Sequence, residues 1–223
     1  MAVEAATQAE RIYRRLKGDI LGGRLEPGEP LQFARLRTDY GSSVGVLREA
    51  LVRLTAEGLT VNQAQHGFKV ISLSLEDLKD LTATRCHIES MVLKDSVVHG
   101  DIDWESRVIS AHHRMERTPK DDPEGDAPVS EAWAWAHQEF HEALLSAACN
   151  QRLKAIAASL RASAEVYRRW SMPFEVTKRD VSAEHARLVK LCLAHDGEGA
   201  AAALVKHLRL TETLIVKGVG RRC

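Results

Sequence analysis

Four shortages bound the chain before any motif is read. Aromatic residues make up 5% of its 223 positions, and no apolar run approaches the roughly 18 residues that a membrane-spanning helix needs. Met1 opens no charged-then-apolar leader, so the expectation is an unexported, cytoplasmic protein with no membrane partner. Cysteine is sparse: Cys86, Cys149, Cys192 and Cys223 are scattered without a C-x-x-C spacing, which argues against a disulfide framework and a thiolate zinc knuckle. Net charge is absent, with 31 Lys and Arg against 31 Asp and Glu, and this argues against a polybasic protein that adheres to any nucleic acid. A local footprint stays open, because residues 1–75 hold ten basic and eight acidic side chains, leaving 21 and 23 for the remainder. The length allows one large domain or two small ones.

What is present is helical periodicity, interrupted once. QAERIYRRLKGDIL, residues 8–21, carries Ile12, Leu16 and Ile20 at helical spacing and stops at Gly22-Gly23. After a turn-rich link, GRLEPGEP, an apolar segment around Leu31 to Tyr40 leads through Gly41, Ser42 and Ser43 into VGVLREALVRLTAEG. Leu47, Leu51 and Leu54 make the stripe of that segment, which ends at Gly58, so the pattern is helix, tight turn, helix. LTVN and FKVIS then flank the polar QAQHG as a two-stranded hairpin. Residues 1–73 are therefore expected to form a winged helix-turn-helix. From Ser74 onward the text is helical: SLED is a capping box heading a helix to about Val98, and further helices follow near 101–117, 130–148, 151–170, 179–195 and 198–216. TPKDDPEGDAPV (118–129) reads as a loop. The expected fold class is mainly α, with residues 74–223 forming an all-α bundle.

Within that bundle HQEFH, residues 137–141, puts two imidazoles four positions apart on the stripe of Trp133, Phe140, Leu144 and Ala148, so both rings point inward. His185 opens a stripe with Leu188, Val189 and Cys192, and His207 lies between Leu204, Leu208 and Thr211. Four unpartnered buried rings would cost several kcal/mol at about 1–3 kcal/mol each. Shared coordination of a cation is the economical explanation, and private hydrogen bonds to carbonyls are the bland one. HQEFH also resembles the H-E-x-x-H of zinc peptidases, which would make a zinc-dependent hydrolase. Gln138 cannot act as the base, however, and Glu139 lies about 200° round the helix from His137. No enzyme is expected.

IYRRLKGDILGGRLEPGEPL, LREALVRLTAEGL, QHGFKV and SLEDLKDLTATRCHIES, in that order, resemble the N-terminal half of the GntR family of bacterial transcription regulators, in its FadR-like branch. WAHQEFHEALLSAACN and EHARLVKLCLAHDGEGAAAALVKHL resemble that branch's helical effector-binding domain, FCD, so the resemblance runs from about residue 8 to 216. It implies a homodimeric, ligand-responsive repressor or activator on double-stranded operator DNA, sensing a small carboxylate. It also implies a metal held by His141, His185 and His207, with His137 where the family has Asp. A neutral nitrogen in place of a hard oxygen tilts preference from Mn²⁺ or Mg²⁺ toward Zn²⁺, Ni²⁺ or Cu²⁺, zinc or nickel first. Arg85 is the candidate to clamp the carboxylate, since a guanidinium matches it bidentately; a structural pair with Glu89 is the alternative. A metal sensor without an organic effector is the rival function.

A recognition helix enters the major groove by its N-terminal end, which places Ser42, Ser43 and Arg48 for DNA contact. Arginine can fork onto guanine for about 1–3 kcal/mol of discrimination, while serine hydroxyls mainly position phosphate. His66 and Gly67 form a hairpin tip small enough for a minor groove. Where the family commonly reads S-R-T-P-V-R-E-A-L, this chain has SVGVLREAL from Ser43 to Leu51, keeping only the second arginine, Arg48. Another family arginine falls on Ala34, with Arg35 and Arg37 close by as substitutes.

Overall fold

The structure is a computed structural model that describes residues 7–63, 65–120, 130–171 and 179–219. In chain order it contains α1 (Gln8–Leu21), β1 (Pro30–Leu31), α2 (Phe33–Tyr40), α3 (Val44–Ala56), β2 (Thr60–Gln63) and β3 (Gly67–Val70). These are followed by α4 (Leu75–His99), α5 (Ile102–Arg117), α6 (Glu131–Leu144), α7 (Gln151–Ser171), α8 (Val181–Leu193) and α9 (Gly197–Val219). The chain divides into two compact units: Met1–Ser74 with Ala162–Trp170, and Leu75–Arg161 with Ser171–Cys223. The fold class is the expected one, a winged helix-turn-helix followed by an all-α bundle.

In the first unit the leucine stripes are its core. Leu16, Ile20, Leu47, Leu51 and Leu54 are fully buried where α1 packs on α3. Thr7 caps α1 by accepting from Glu10 N at 3.2 Å. Gly41, at φ 58°, ends α2 in the left-handed conformation that favours glycine, and the turn can then start α3 at once. At the far end of α3, Gly58 has φ 73° and Leu59 N–H donates to Leu54 O at 2.9 Å, the wrap-around bond that stops a helix.

Two features depart from the periodicity. The wing has three strands in the order β1-β3-β2, all antiparallel, because Pro30–Leu31 from the supposed link pairs with Lys69 and Phe68. Proline is tolerated as the first residue of an edge strand, where no ladder donor is needed, and Leu31 and Phe68 are both buried. The second departure is in α7, whose later half belongs to the first unit: Val166 is fully buried in that unit's core. The Tyr167 hydroxyl accepts from Ser74 N at 3.2 Å, at the head of α4.

In the second unit α4 runs along α9, α5 packs on α6 and α8, and α8 packs on α9. Asp101, Ser130 and Asp180 cap α5, α6 and α8 by accepting from Trp104 N, Trp133 N and Ala183 N at 2.8, 3.1 and 2.9 Å. Helix α6 stops at Leu144 and not at 148. Backbone donors beyond it are taken by α4 side chains, Ala147 N by Ser96 Oγ at 3.0 Å and Cys149 N by Asp95 Oδ2 at 2.7 Å. Fully buried Trp104 bonds Ala143 O through Nε1 at 3.0 Å. Most of the loop expected at 118–129 lies outside the described residues. Among the described residues no helix is long and apolar enough to cross a membrane.

Val166→Ala should lower the stability of the first unit by about 1–3 kcal/mol, the usual scale for truncating a buried aliphatic side chain. The measurement is the urea midpoint, followed by tryptophan fluorescence and far-ultraviolet circular dichroism; an unmoved midpoint would show that α7 does not support that core.

Candidate metal and effector centre

The four histidines meet. His137 and His141 come from α6, His185 from α8 and His207 from α9, and one ligand atom from each lies within 4.8 Å of all the others. Ring centroids are 4.7 Å apart for His137 and His141, 5.6 Å for His141 and His185, and 4.9 Å for His185 and His207. The four-residue spacing on α6 stacks its two rings over one face. His141, His185 and His207 are buried at 6%, 1% and 6% exposure, leaving little room for hydration. His137 is half-buried and stacks on Trp133 at 4.9 Å.

The Nε2 atoms of His141 and His185 are buried and have no hydrogen-bond partner. Neither Nε2 makes the private main-chain bond of the bland reading. His207 is oriented from behind: its Nδ1–H donates to Glu184 Oε2 at 2.8 Å, directing Nε2 to serve as the ligand nitrogen. Arg179 grips the same carboxylate at 2.6 Å, and bonds Thr211 Oγ1 and His207 O, each at 3.1 Å. Burial raises the Glu184 carboxyl, but hydrogen bonds from Arg179 and His207 outweigh it and hold the group at about 2. Burial, then the charges of neighbouring groups, pushes His185 down to about 2 and His141 well below the ordinary range. Burial also lowers His207, against the pull of its bond to Glu184.

Buried neutral imidazoles with orphaned nitrogens are the state a metal requires. Nitrogens bound at about 2.0–2.1 Å from one ion sit roughly 3–4 Å apart, so this cluster fits a single cation after modest ring movements. An all-imidazole set suits zinc, nickel or copper. A second group, Asp95, His99 and Cys149, is largely exposed. There Asp95 already accepts from Cys149 N and pairs with His99 at 3.0 Å. On the peptidase pattern, Glu139 is turned away to Arg114 at 2.6 Å, and Gln138 is exposed and bonded to Glu142.

Arg85 has taken its structural partner: Nε donates to Glu89 Oε1 at 2.6 Å, with the two side chains 13% and 1% exposed. Both lie in the same unit as the histidines, and the Arg85 charge is among those that depress His141. So is that of Arg161, whose Nε and Nη1 are buried without a partner. Sequence reasoning missed Arg161, Glu89 as more than a partner, Glu184 and Arg179. It also missed a fifth histidine, His112, whose ring lies 5.4 Å from Phe140. An acid directly before His185 was the one available signal for Glu184. On its own helix it points about 100° away, and only the approach of α9 turns it toward His207.

In the first unit the DNA-contact candidates separate. Arg48 is exposed at the start of α3, its guanidinium 5.0 Å from the Phe33 ring centroid. Arg37, Thr38, Gly41, Ser42 and Ser43 line an open groove of about 580 Å³ with Ala34. Ser43 caps α3, its Oγ accepting from Val46 N at 3.4 Å. Ser42 is only 7% exposed and accepts from Gln8 Nε2 at 3.5 Å, so its hydroxyl serves α1. Arg35 is engaged by Glu29 and Asp39. His66 and Gly67 are exposed beside the hairpin turn, where Gly67 has φ 75°.

Comparison with known proteins matches residues 8–70 to the family described as bacterial regulatory proteins, gntR family, and residues 80–210 to the FCD domain. The HTH-type transcriptional regulator BphR of Paraburkholderia xenovorans LB400 is 37% identical over 210 residues, covering 92% of this chain and 84% of that protein. The HTH-type transcriptional repressor GlaR of Escherichia coli K12 is 30% identical over 201 residues, 88% and 90% of the two chains. The structure of E. coli McbR/YncC superposes with a TM-score of 0.74 at 17% identity, covering 96% of this chain and 99% of that one.

The depressed histidines carry a pH consequence. Their stabilisation is fully present above the unfolded value near 6.5 and is lost as pH falls toward their folded values, about 2 for His185. Metal-free protein should therefore lose stability between pH 6.5 and 5, with a slope approaching about 1.4 kcal/mol per pH unit for each such histidine. His195, raised by its bonds to Val97 O and Glu105, works oppositely but is a single exposed ring. Chemical denaturation at stepped pH checks this, and a flat profile would contradict it.

Proposed function

Since the chain belongs to the GntR family of bacterial regulatory proteins and carries their FCD domain, we propose that it is a ligand-responsive regulator sensing a small carboxylate at a histidine-held metal. Membership makes it a DNA-binding transcription regulator of the FadR-like branch and not an enzyme. The finer reading is a cytoplasmic homodimer on a short palindromic operator, with His137, His141, His185 and His207 holding zinc or nickel. The name of GlaR as a repressor supports repression as its mode. One observation carries the sensor: four imidazoles converge in the bundle, with Nε2 of His141 and His185 buried and unpartnered.

The cation would supply concentrated positive charge and an open coordination position for a carboxylate oxygen. The chain's own part is to orient His207 through Glu184 and Arg179, to exclude water, and to add the positive field of Arg85. That field favours an organic anion over a metal acting alone as the signal. Ligand capture changes operator affinity only as far as the ligand distinguishes the two arrangements of the dimer. The stretches able to transmit the difference are residues 71–75 and α7, where the chain runs from one unit into the other.

On the DNA side the reading relies on Arg48, Arg37 and Ser43 at the recognition helix and on His66 and Gly67 at the wing. Arg35 and Ser42 act by supporting the fold beside them.

Two measurements bear on this. Elemental analysis after gentle purification should find about one equivalent of zinc or nickel per chain, falling below about a tenth in His141→Ala and His185→Ala. Metal-free wild type that takes up none on reconstitution would remove the site. On DNA flanking its own gene, Arg48→Ala should weaken binding by about 1–3 kcal/mol, with salt dependence persisting at a slope of about −0.9 per remaining phosphate contact. Unchanged affinity in that variant would take Arg48 out of the interface.

A further inference from the structure

The proposed sensor leaves buried groups of the second unit without a role. Arg161 Nε and Nη1 on α7 and Glu89 Oε2 on α4 have no hydrogen-bond partner. A buried polar group left unpaired costs about 1–3 kcal/mol, and more when it is charged. Native interiors therefore rarely keep two such side chains in one place. Arg85, Glu89 and Arg161 do share one place. Arg85 is bonded to Glu89, Glu89 and Arg85 both act electrostatically on Arg161, and Arg85 and Arg161 both bear on His141. The corner thus lies within electrostatic reach of His141.

Its charges do not balance. Two guanidiniums face one buried carboxylate, and Glu142, the other acid acting on Arg161, is exposed and hydrogen-bonded by Gln138. One positive charge is left over, on a half-buried side chain whose Nε and Nη1 are sealed from water and whose planar fork matches a carboxylate.

We propose that Arg161, supported by Arg85, is a second anion pole, and that the effector is a short dicarboxylate spanning from the histidine cluster to this guanidinium. The inference rests on the reading that a carboxylate binds at a histidine-held metal, and it adds what the other end must be. A monocarboxylate leaves the Arg161 donors unpaired, and a site built to hydrogen-bond a group discriminates against analogues that lack it. Glu89 limits the surplus to one charge, so the corner selects a single additional carboxylate.

The test is calorimetric titration of the zinc-loaded full-length chain with succinate, glutarate and adipate, each against the monoacid of equal carbon number: butyrate, valerate and hexanoate. At least one diacid should bind about tenfold or more tightly than its partner monoacid. Arg161→Gln should remove that advantage while leaving zinc content and monoacid affinity unchanged, and Arg161→Lys should restore part of it. Monoacids that bind as tightly as the diacids would overturn the second pole, a result that needs no variant. So would Arg161→Gln retaining the preference, or weakening both classes equally, as expected if Arg161 only pairs with Glu89 through water. If no acid binds the zinc-loaded wild type, the carboxylate-sensor reading falls first and this inference with it. Loss of selectivity alone sinks only the inference.

Discussion

The cost of burying an imidazole nitrogen without a partner organises the second unit. Helices α6, α8 and α9 each bring a histidine inward, and three of those rings are almost sealed from water. A core of aliphatic side chains in their place would be cheaper, so the arrangement implies that the nitrogens gain a common partner. The surrounding residues fall into place around that need. Glu184 and Arg179 hold His207 in one tautomer and orientation, and low dielectric keeps the rings neutral and able to donate a lone pair. The half-buried Arg85 and Arg161 add positive charge that bears on His141.

The same electrostatics separate the proposed sensor from a catalytic site. A hydrolytic site needs an acid aimed at a metal-bound water, and the two polar residues inside HQEFH are spent elsewhere, Gln138 on Glu142 and Glu139 on Arg114. What remains near the histidines is cationic or orienting, suited to holding an anion and not to moving protons. The first unit has a different economy. Its core is aliphatic, and most charged groups at its DNA-facing end are exposed or hold one another, as Arg35 does with Glu29 and Asp39. Exposed Arg48 instead lies over the face of Phe33, a weak contact.

Departures from the family pattern concentrate where chemistry is tuned. His137 replaces the usual acid while keeping its place in the cluster, which changes the donor set without changing the scaffold. Ser43-Val44-Gly45 replaces an arginine-bearing turn, and the helix it starts is still capped and fully formed.

Periodicity, caps and breakers were enough to determine the helices, the hairpin, the place of the wing and the inward direction of all four histidines. Those features depend on residues within a few positions of each other. Family resemblance extended this to the proposal of a metal and effector site at those histidines. Local pattern could not supply the third strand at Pro30–Leu31, the shortened α6, the contribution of Val166 to the first core, or the roles of Glu184, Arg179 and Arg161. Each depends on a partner far along the chain: Phe68 for Leu31, Ser96 and Asp95 for the end of α6, His207 for Glu184. A side chain's direction follows from its own helix, but what it meets there is fixed only when another helix packs against it.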